Sequence, residues 1–217
     1  PVPLPASLTS IGSHAFYRCS ALSSITFPAS LTSIGAFFGC SSLTTVTFGN
    51  AFDGCSALAR VTLPAGLTSI GFHAFANCSS IARVTFAASL TAINNYAFVG
   101  CSALTSVTLP AGLTSIGMGA LAHCSSITTV TFPAGLTSIG DAAFYFCSSL
   151  ASVTLPASVT SIGRGAFRSC RSLTSVALPA GVVSIGEDVF SRCSLTSVTF
   201  PVGLTSIGDS AFEGCSA

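Results

Sequence analysis

The chain has 217 residues, of which only 6% are charged while 50% are hydrophobic. Seven basic and six acidic residues leave a formal charge of +1, so there is no electrostatic field to attract nucleic acid or an anionic membrane. Ser, Thr and Gly interrupt every apolar stretch before it reaches the ~20 residues of a spanning helix, so no transmembrane segment is predicted.

The cysteines reveal an internal repeat. Ten of them run from Cys19 to Cys215 at intervals of 21, 15, 23, 23, 23, 23, 23, 23 and 22 residues. The unit from Cys147 to Ser169 reads CSSLASVTLPASVTSIGRGAFRS. A fixed period of this length is typical of a solenoid, in which each repeat forms one coil. The sequence therefore predicts one domain over 1–217 with about nine to ten coils of ~23 residues.

The first element of each unit is a strand of the form L-x-x-V-T-L or L-x-x-V-T-F. Inward apolar residues such as Val107 and Leu109 alternate with outward polar ones. A proline then ends the strand because it has no amide hydrogen for another ladder bond. These prolines are Pro28, Pro64, Pro110, Pro133, Pro156, Pro179 and Pro201.

The second element, L-T-S-I, is also extended and ends at a glycine. Asn94 fills this position once, and Asn is one of the few other residues that tolerate positive φ, so the column predicts a left-handed turn. An A-F-x-x-C segment, expected to be a turn or a short 3₁₀ piece, closes the coil. The glycines are Gly12, Gly35, Gly71, Gly117, Gly140, Gly163, Gly186 and Gly208.

Stacking of the coils would align equivalent side chains about 4.8 Å apart in continuous columns. One column is phenylalanine with Leu121 substituting once, and strand ends largely alternate between Phe and Leu, which indicates interleaved large and small side chains or duplication of a two-repeat unit. The column comprises Phe16, Phe37, Phe52, Phe75, Phe98, Phe144, Phe167, Phe190 and Phe212. One cysteine per coil likewise predicts a column of free, buried thiols, although neighbouring coils are close enough for an occasional disulfide.

The pattern L-x-x-V-x-L-P-x-x-L-x-x-I-G-x-x-A-F-x-x-C resembles the BspA-like, or treponemal-type, leucine-rich repeat over nearly the whole chain. The resemblance implies a curved, right-handed solenoid of short parallel strands and turns, with a parallel sheet on one face. It also implies membership of a family found largely in cell-surface proteins that adhere to host or matrix proteins.

The repeat has one irregular region and no recognisable caps. The interval from Cys40 to Cys55 lacks the P-A-x-L-T-S-I-G half, so irregular coils and a local kink are expected near 35–55. The chain reads as a fragment of a longer array, whose end coils would be covered by further sequence or by partner subunits.

No catalytic, cofactor or metal site is predicted. A linear cysteine column does not supply four converging zinc ligands. His14, His73 and His123 have no acid or base at a matching position, so they are expected to face solvent or to be structural. Asn77 begins a glycosylation sequon, which matters only in a eukaryotic secretory pathway.

Charged residues point to two places on the surface. Asp141, Arg164 and Glu187 share one phase in consecutive coils, which predicts a weak ladder of ion pairs. Arg60 and Arg83 share the outward position before the strand valine, so two guanidinium groups would lie side by side where a carboxylate or phosphate can bind. The candidate partner-binding residues are Arg60, Arg83, Thr45, Thr47, Thr62, Thr85, Ser106, Thr108, Thr129 and Thr131.

The leading functional hypothesis is a non-enzymatic module that binds or scaffolds other proteins through this sheet face, with cell-surface adhesion as the specific form. A structural subunit embedded in a large, membrane-associated or organellar assembly is a second hypothesis, favoured by the scarcity of charge. Ice binding through the outward threonines is a third, although sheet curvature and the two arginines oppose it. Composition leaves the compartment open.

Overall fold

The computed structural model of the chain describes residues 2–8, 10–12, 15–22, 24–26, 33–34, 45–47, 54, 56, 58–62 and 68–215. These residues form a parallel β-solenoid and contain no helix. The continuous stretch 68–215 holds about six turns of ~23 residues. This count is lower than the nine to ten coils predicted for the whole chain, whose first coils are described only in part.

Most turns contribute two short strands, which come from the V-T and S-I segments of the repeat, and the described residues hold no S-I strand between Thr47 and Arg60. The V-T strands are β1 (Val2–Pro3), β3 (Ser24–Thr26), β5 (Thr45–Thr47), β6 (Arg60–Thr62), β8 (Arg83–Thr85), β10 (Ser106–Thr108), β12 (Thr129–Thr131), β14 (Val153–Thr154), β16 (Ser175–Ala177) and β18 (Ser197–Thr199). The S-I strands are β2 (Ser10–Ile11), β4 (Ser33–Ile34), β7 (Ser69–Ile70), β9 (Ala92–Ile93), β11 (Ser115–Ile116), β13 (Ser138–Ile139), β15 (Ser161–Ile162), β17 (Ser184–Ile185) and β19 (Ser206–Ile207).

All strand pairs are parallel and join equivalent positions of neighbouring turns. The V-T strands form the sheets β1-β3-β5-β6-β8, β10-β12 and β14-β16-β18, and the S-I strands form β2-β4, β7-β9-β11-β13-β15 and β17-β19. Val107 lies opposite Val130, and Ile116 lies opposite Ile139. The predicted register is therefore confirmed. The predicted kink near 35–55 falls mostly outside the described residues.

The described prolines of this column follow the strands as expected and also begin the next turn, while Pro28 and Pro64 lie outside the described residues. The carbonyl oxygen of Pro110 accepts the amide hydrogen of Leu113 at 3.0 Å, and Pro133 accepts that of Leu136 at 3.1 Å. Because the proline ring fixes φ near −65°, the backbone already has the conformation that this turn requires. The turn carries the backbone from the V-T strand to the S-I strand.

The phenylalanine column forms the centre of the core. Phe144 and Phe167 stack with ring centroids 5.3 Å apart, and Phe167 and Phe190 stack at 5.6 Å. At a strand end, Phe132 meets the ring of Phe144 edge-on at 5.7 Å and 80°. Edge-to-face contact is a favoured geometry for aromatic pairs. The interleaving or two-repeat duplication suggested by the strand ends stays a prediction.

The cysteine column lies beside the phenylalanines. From Cys101 to Cys215, each thiol donates a hydrogen bond to the carbonyl oxygen of the column residue in the preceding coil, at 3.1–3.3 Å. All eight described cysteines are free, as predicted, while Cys40 and Cys55 lie outside the described residues. Burial raises the pKa of the Cys193 thiol to about 12.

The closing segment is a succession of turns, without the 3₁₀ piece that was the alternative, wherever the structure describes it. Three amides in each coil donate to the next coil, as Phe75 does to Ala97 at 2.7 Å and Asn77 to Val99 at 2.6 Å. Most of the intervening amides donate within their own coil, to the carbonyl oxygen three residues earlier. This alternation ties adjacent coils together on the side away from the V-T strands.

At its described positions, the glycine column does not form the left-handed turn that the sequence suggested. Positive φ occurs two and six residues later, as at Tyr96 (56°) and Gly100 (73°). A Cβ on Gly140 would lie 2.7 Å from the carbonyl carbon of Gly117 and 2.7 Å from the amide nitrogen of Met118. Glycine is therefore required at position 140 because the backbone of the neighbouring coil passes too close for a side chain, whereas the nearest atom to a Cβ on Gly186 is 3.6 Å away.

Candidate functional site

The sheet face predicted to bind partners is formed by the outward residues of the V-T strands. Arg83 and Thr85 are exposed on either side of the buried Val84 in β8. Ser106 and Thr108 occupy the same exposed positions in β10. Alternation along the strand therefore presents two polar side chains per coil to solvent.

The next coil continues these columns in register. Thr129 and Thr131 are exposed on β12 and lie directly opposite Ser106 and Thr108. Adjacent parallel strands are about 4.8 Å apart. The hydroxyl groups consequently form two rows along the solenoid axis.

The two arginines occupy neighbouring positions of one sheet. Arg60 on β6 is the direct partner of Arg83 on β8. Thr45 lies opposite Arg60, and Thr47 lies opposite Thr62. The side chains of Arg60, Thr45, Thr47 and Thr62 lie outside what the structure describes, so the juxtaposition is one of backbone positions.

Arg83 has no ionic partner among the described side chains, whose ion pairs are Arg164–Glu187 and Arg168–Asp188. A guanidinium group can bind a carboxylate through two parallel hydrogen bonds. The exposed Arg83 thus offers donors to an acidic group on a binding partner.

A concavity of about 470 Å³ lies where the V-T sheet is interrupted between β8 and β10. Thr85, Phe86, Thr108 and Leu109 are among its lining residues. Sequence reasoning missed this feature. The sequence feature that could have indicated it is Ala87, which occupies the position where most coils have the strand-ending proline.

The predicted charge ladder lies on the closing turns, away from the sheet face. Arg164 forms an ion pair with Glu187 at 2.7 Å, and the carboxylate of Asp141 accepts the backbone amide hydrogen of Arg164 at 2.8 Å. A second ion pair, Arg168–Asp188 at 2.6 Å, was missed because its residues occupy different phases of the repeat. Asp188 is nearly buried, whereas Arg164 and Glu187 are exposed.

The described histidines belong to surface aromatic clusters. The ring of His73 lies 5.2 Å from Tyr96, and that of His123 lies 5.1 Å from Tyr145. His14 is outside the described residues. Across the described ranges, no group of three or more His, Cys, Asp or Glu side chains converges as metal ligands. The same residues contain no helix with the length and apolarity to cross a membrane.

Similar proteins share this architecture. The chain is 29% identical to a leucine-rich cell surface protein from Faecalibacterium prausnitzii A2-165, with 94% of this chain and 62% of that one aligned and a TM-score of 0.65. It is 31% identical to a leucine-rich repeat protein of T. pallidum, over 89% of this chain and 76% of that one, with a TM-score of 0.56. A leucine-rich repeat protein from Eubacterium ventriosum ATCC 27560 shares the fold at 22% identity and a TM-score of 0.74, over 97% of this chain and 63% of that one.

The chain spans less than two thirds of the F. prausnitzii protein, and it matches no curated protein significantly. The family model of the BspA type leucine rich repeat region matches residues 2–104, 48–151 and 91–217, with six copies. Together these matches cover nearly every residue of the chain, which therefore belongs to the BspA-type leucine-rich repeat family.

Proposed function

We propose that this chain is a non-enzymatic protein-binding module that uses the outward face of its V-T strands in adhesion or scaffolding at a cell surface. The family supports the general role, because a stacked repeat presents an extended ordered surface. The F. prausnitzii relative is a leucine-rich cell surface protein, which supports the location.

The observation that carries the proposal is the register of the outward columns. Thr108 and Thr131 are direct partners, as are Arg60 and Arg83, so the ladder of hydrogen bonds fixes their backbone positions before any partner arrives. A surface that is already ordered loses little conformational entropy on binding.

The chemistry of the face favours a partner segment with an acidic group beside an apolar side chain. Arg83 supplies donors for a carboxylate at the start of β8. The concavity beside Thr85 and Phe86 follows the end of the same strand and can receive an apolar group. The rows of outward Ser and Thr hydroxyls carry no charge, so removing water from them on binding costs little free energy.

The test uses the immobilised chain and a panel of purified matrix and host-surface proteins, measured by biolayer interferometry. The double variant Arg60→Ala, Arg83→Ala should bind a positive partner at least about tenfold more weakly, since an anchoring arginine typically contributes more than about 1.4 kcal/mol. The matched control is Arg171→Ala, Arg192→Ala, which removes two exposed arginines outside the sheet face. Equal loss in both double variants, or none in the first, would remove the sheet-face assignment.

A further inference from the structure

A second concavity, of about 390 Å³, lies on the closing turns. Its volume falls within the roughly 300–1,000 Å³ of typical small-molecule sites. None of its lining residues belongs to the V-T strands, so it is separate from the proposed protein-binding face.

The groove exists because one column of the repeat loses its large side chains over several coils. This column, two residues after the glycine position, reads Tyr96, Gly119, Ala142, Gly165 and Asp188. The ring of Tyr96 lies over Gly119, where a Cβ would come within 2.5 Å of it. Ala142 and Gly165 therefore form a floor between a tyrosine at one end and an aspartate at the other.

Flat apolar groups line the groove at several points. The hydroxyl of Tyr96 donates to the thioether sulfur of Met118 at 3.0 Å, which holds both side chains in place. The ring of Tyr145 packs edge-on against His123 at 5.1 Å. These contacts fix two tyrosines of the lining in defined orientations.

The charged groups of the lining are already engaged with protein partners. They are two arginines, Arg164 and Arg168, and two aspartates, Asp141 and Asp188. Arg168 pairs with Asp188, and the buried Nε of Arg168 has no acceptor among the described residues. Arg164 pairs with Glu187 beside the lining, and the carboxylate of Asp141 accepts the backbone amide hydrogen of Arg164, so the groove offers fixed donors and acceptors but no unpaired arginine.

Most backbone amides of the groove already donate to carbonyl oxygens of the same coil or of the next one. The amide of Ala142 donates to the carbonyl of Arg164 at 2.8 Å, and the amide of Gly165 donates to that of Glu187 at 2.9 Å. A peptide therefore finds no strand edge here onto which it could add. Recognition must come from ring faces and planar polar side chains.

We propose that this groove binds a neutral saccharide. A sugar ring presents an apolar C–H face, which stacks on an aromatic ring, and a rim of hydroxyls, each of which both donates and accepts hydrogen bonds. Adjacent hydroxyls match the paired atoms of an aspartate or an arginine. A ligand without charge also suits a site whose two arginines are already held in ion pairs, since no ion pair has to be broken to admit it.

The test is saturation-transfer NMR on the whole chain with the methyl glycosides of glucose, galactose, mannose and N-acetylglucosamine. Sialyllactose serves as a charged probe and a neutral tetrapeptide as a peptide probe. At least one methyl glycoside should show transfer, and its titration should give a saturable affinity. No transfer to any of the four, or transfer to sialyllactose or the tetrapeptide alone, would overturn the proposal.

A groove-filling variant ties binding to this place. In Ala142→Tyr, the new ring would lie over Gly165 as the ring of Tyr96 already lies over Gly119. The fold should therefore tolerate the substitution. We expect at least tenfold weaker saccharide binding in Ala142→Tyr and unchanged binding in Tyr17→Ala, which removes an exposed tyrosine elsewhere. Binding that persists in Ala142→Tyr would place the saccharide outside the groove. The double variant Arg60→Ala, Arg83→Ala should retain full saccharide binding, which separates this result from the outcome for the sheet face.

Discussion

The thiol of Cys193 donates a hydrogen bond to the backbone carbonyl oxygen of Phe167, at 3.2 Å. The bond exists only while the sulfur keeps its proton. Burial holds the thiol pKa near 12, against an ordinary value of 9.0, and it also raises the pKa of Cys101, Cys147 and Cys170 well above that value. Ionisation of these four thiols is thus coupled to unfolding.

Alkaline pH should destabilise the protein through these thiols. Below about pH 9 the native and unfolded chains both hold the protons, whereas between pH 9 and about 12 the unfolded chain loses them first. The free energy of unfolding should therefore fall as pH rises above 9, by up to about 1.4 kcal/mol per pH unit for each such thiol. Denaturant titrations with reductant from pH 7 to 10.5 measure this slope. Cys193→Ala should flatten it, and a slope unaffected by this substitution would contradict the assignment.

Close backbone approach predicts a contrast between two glycines, neither of which has positive φ. Gly140→Ala forces a Cβ to within 2.7 Å of the neighbouring coil, whereas the nearest atom to a Cβ on Gly203 is 4.0 Å away. The first substitution should cost about 1–3 kcal/mol, and the second should be neutral or slightly stabilising. Chemical denaturation of both variants gives the comparison. Equal effects would show that the approach of the coils is not limiting.

The phenylalanine column should tolerate leucine better than alanine. Phe167→Ala opens a cavity between two stacked rings and should cost about 3–5 kcal/mol. Phe167→Leu should cost clearly less, because Leu121 already occupies this column, fully buried. Thermal and denaturant unfolding followed by circular dichroism provide the measurement. A similar loss in both variants would mean that ring stacking, rather than filled volume, dominates.

The two ion pairs of the closing turns should differ in strength. Glu187→Gln removes an exposed pair and should cost about 0–1 kcal/mol, an effect that 1 M salt abolishes. Asp188→Asn leaves the partly buried Arg168 without its carboxylate and should cost about 1.5–3 kcal/mol, with weaker salt dependence. Unfolding titrations at low and high salt distinguish the two. The reverse order would show that burial does not set the strength of these pairs.

Sequence alone identified most of the fold because the repeat makes each coil a copy of its neighbours. The positions of Phe144 and Phe167 in one column follow from their identical phase. The reason for glycine in the column before the closing turn could not be predicted from the sequence. Absence of a Cβ permits both positive φ and close backbone approach. Asn94, which has a Cβ, favoured the first cause, whereas the structure shows the second at Gly140.

The candidate sheet face could be predicted because it depends on single columns of the repeat. The groove could not be predicted because it depends on several columns. Pairing of Arg60 with Arg83 follows from their shared phase. The groove requires that small residues such as Ala142 and Gly165 be set against Tyr145 and Arg168 of other columns. Its shape arises because consecutive coils have small residues at one repeat position. This pattern is not visible when each repeat is considered separately.

The alternation of amides in the closing turns affects how this protein can change length. Throughout 71–215, a coil passes three amide hydrogens forward, as Phe75 does to Ala97, and receives three from the coil behind it. Removing or duplicating one whole coil re-forms the same bonds between the new neighbours, whereas insertion of a single residue shifts every donor away from its acceptor. Gene duplication can therefore lengthen the molecule in whole coils, and each new coil is free to diverge at its outward positions.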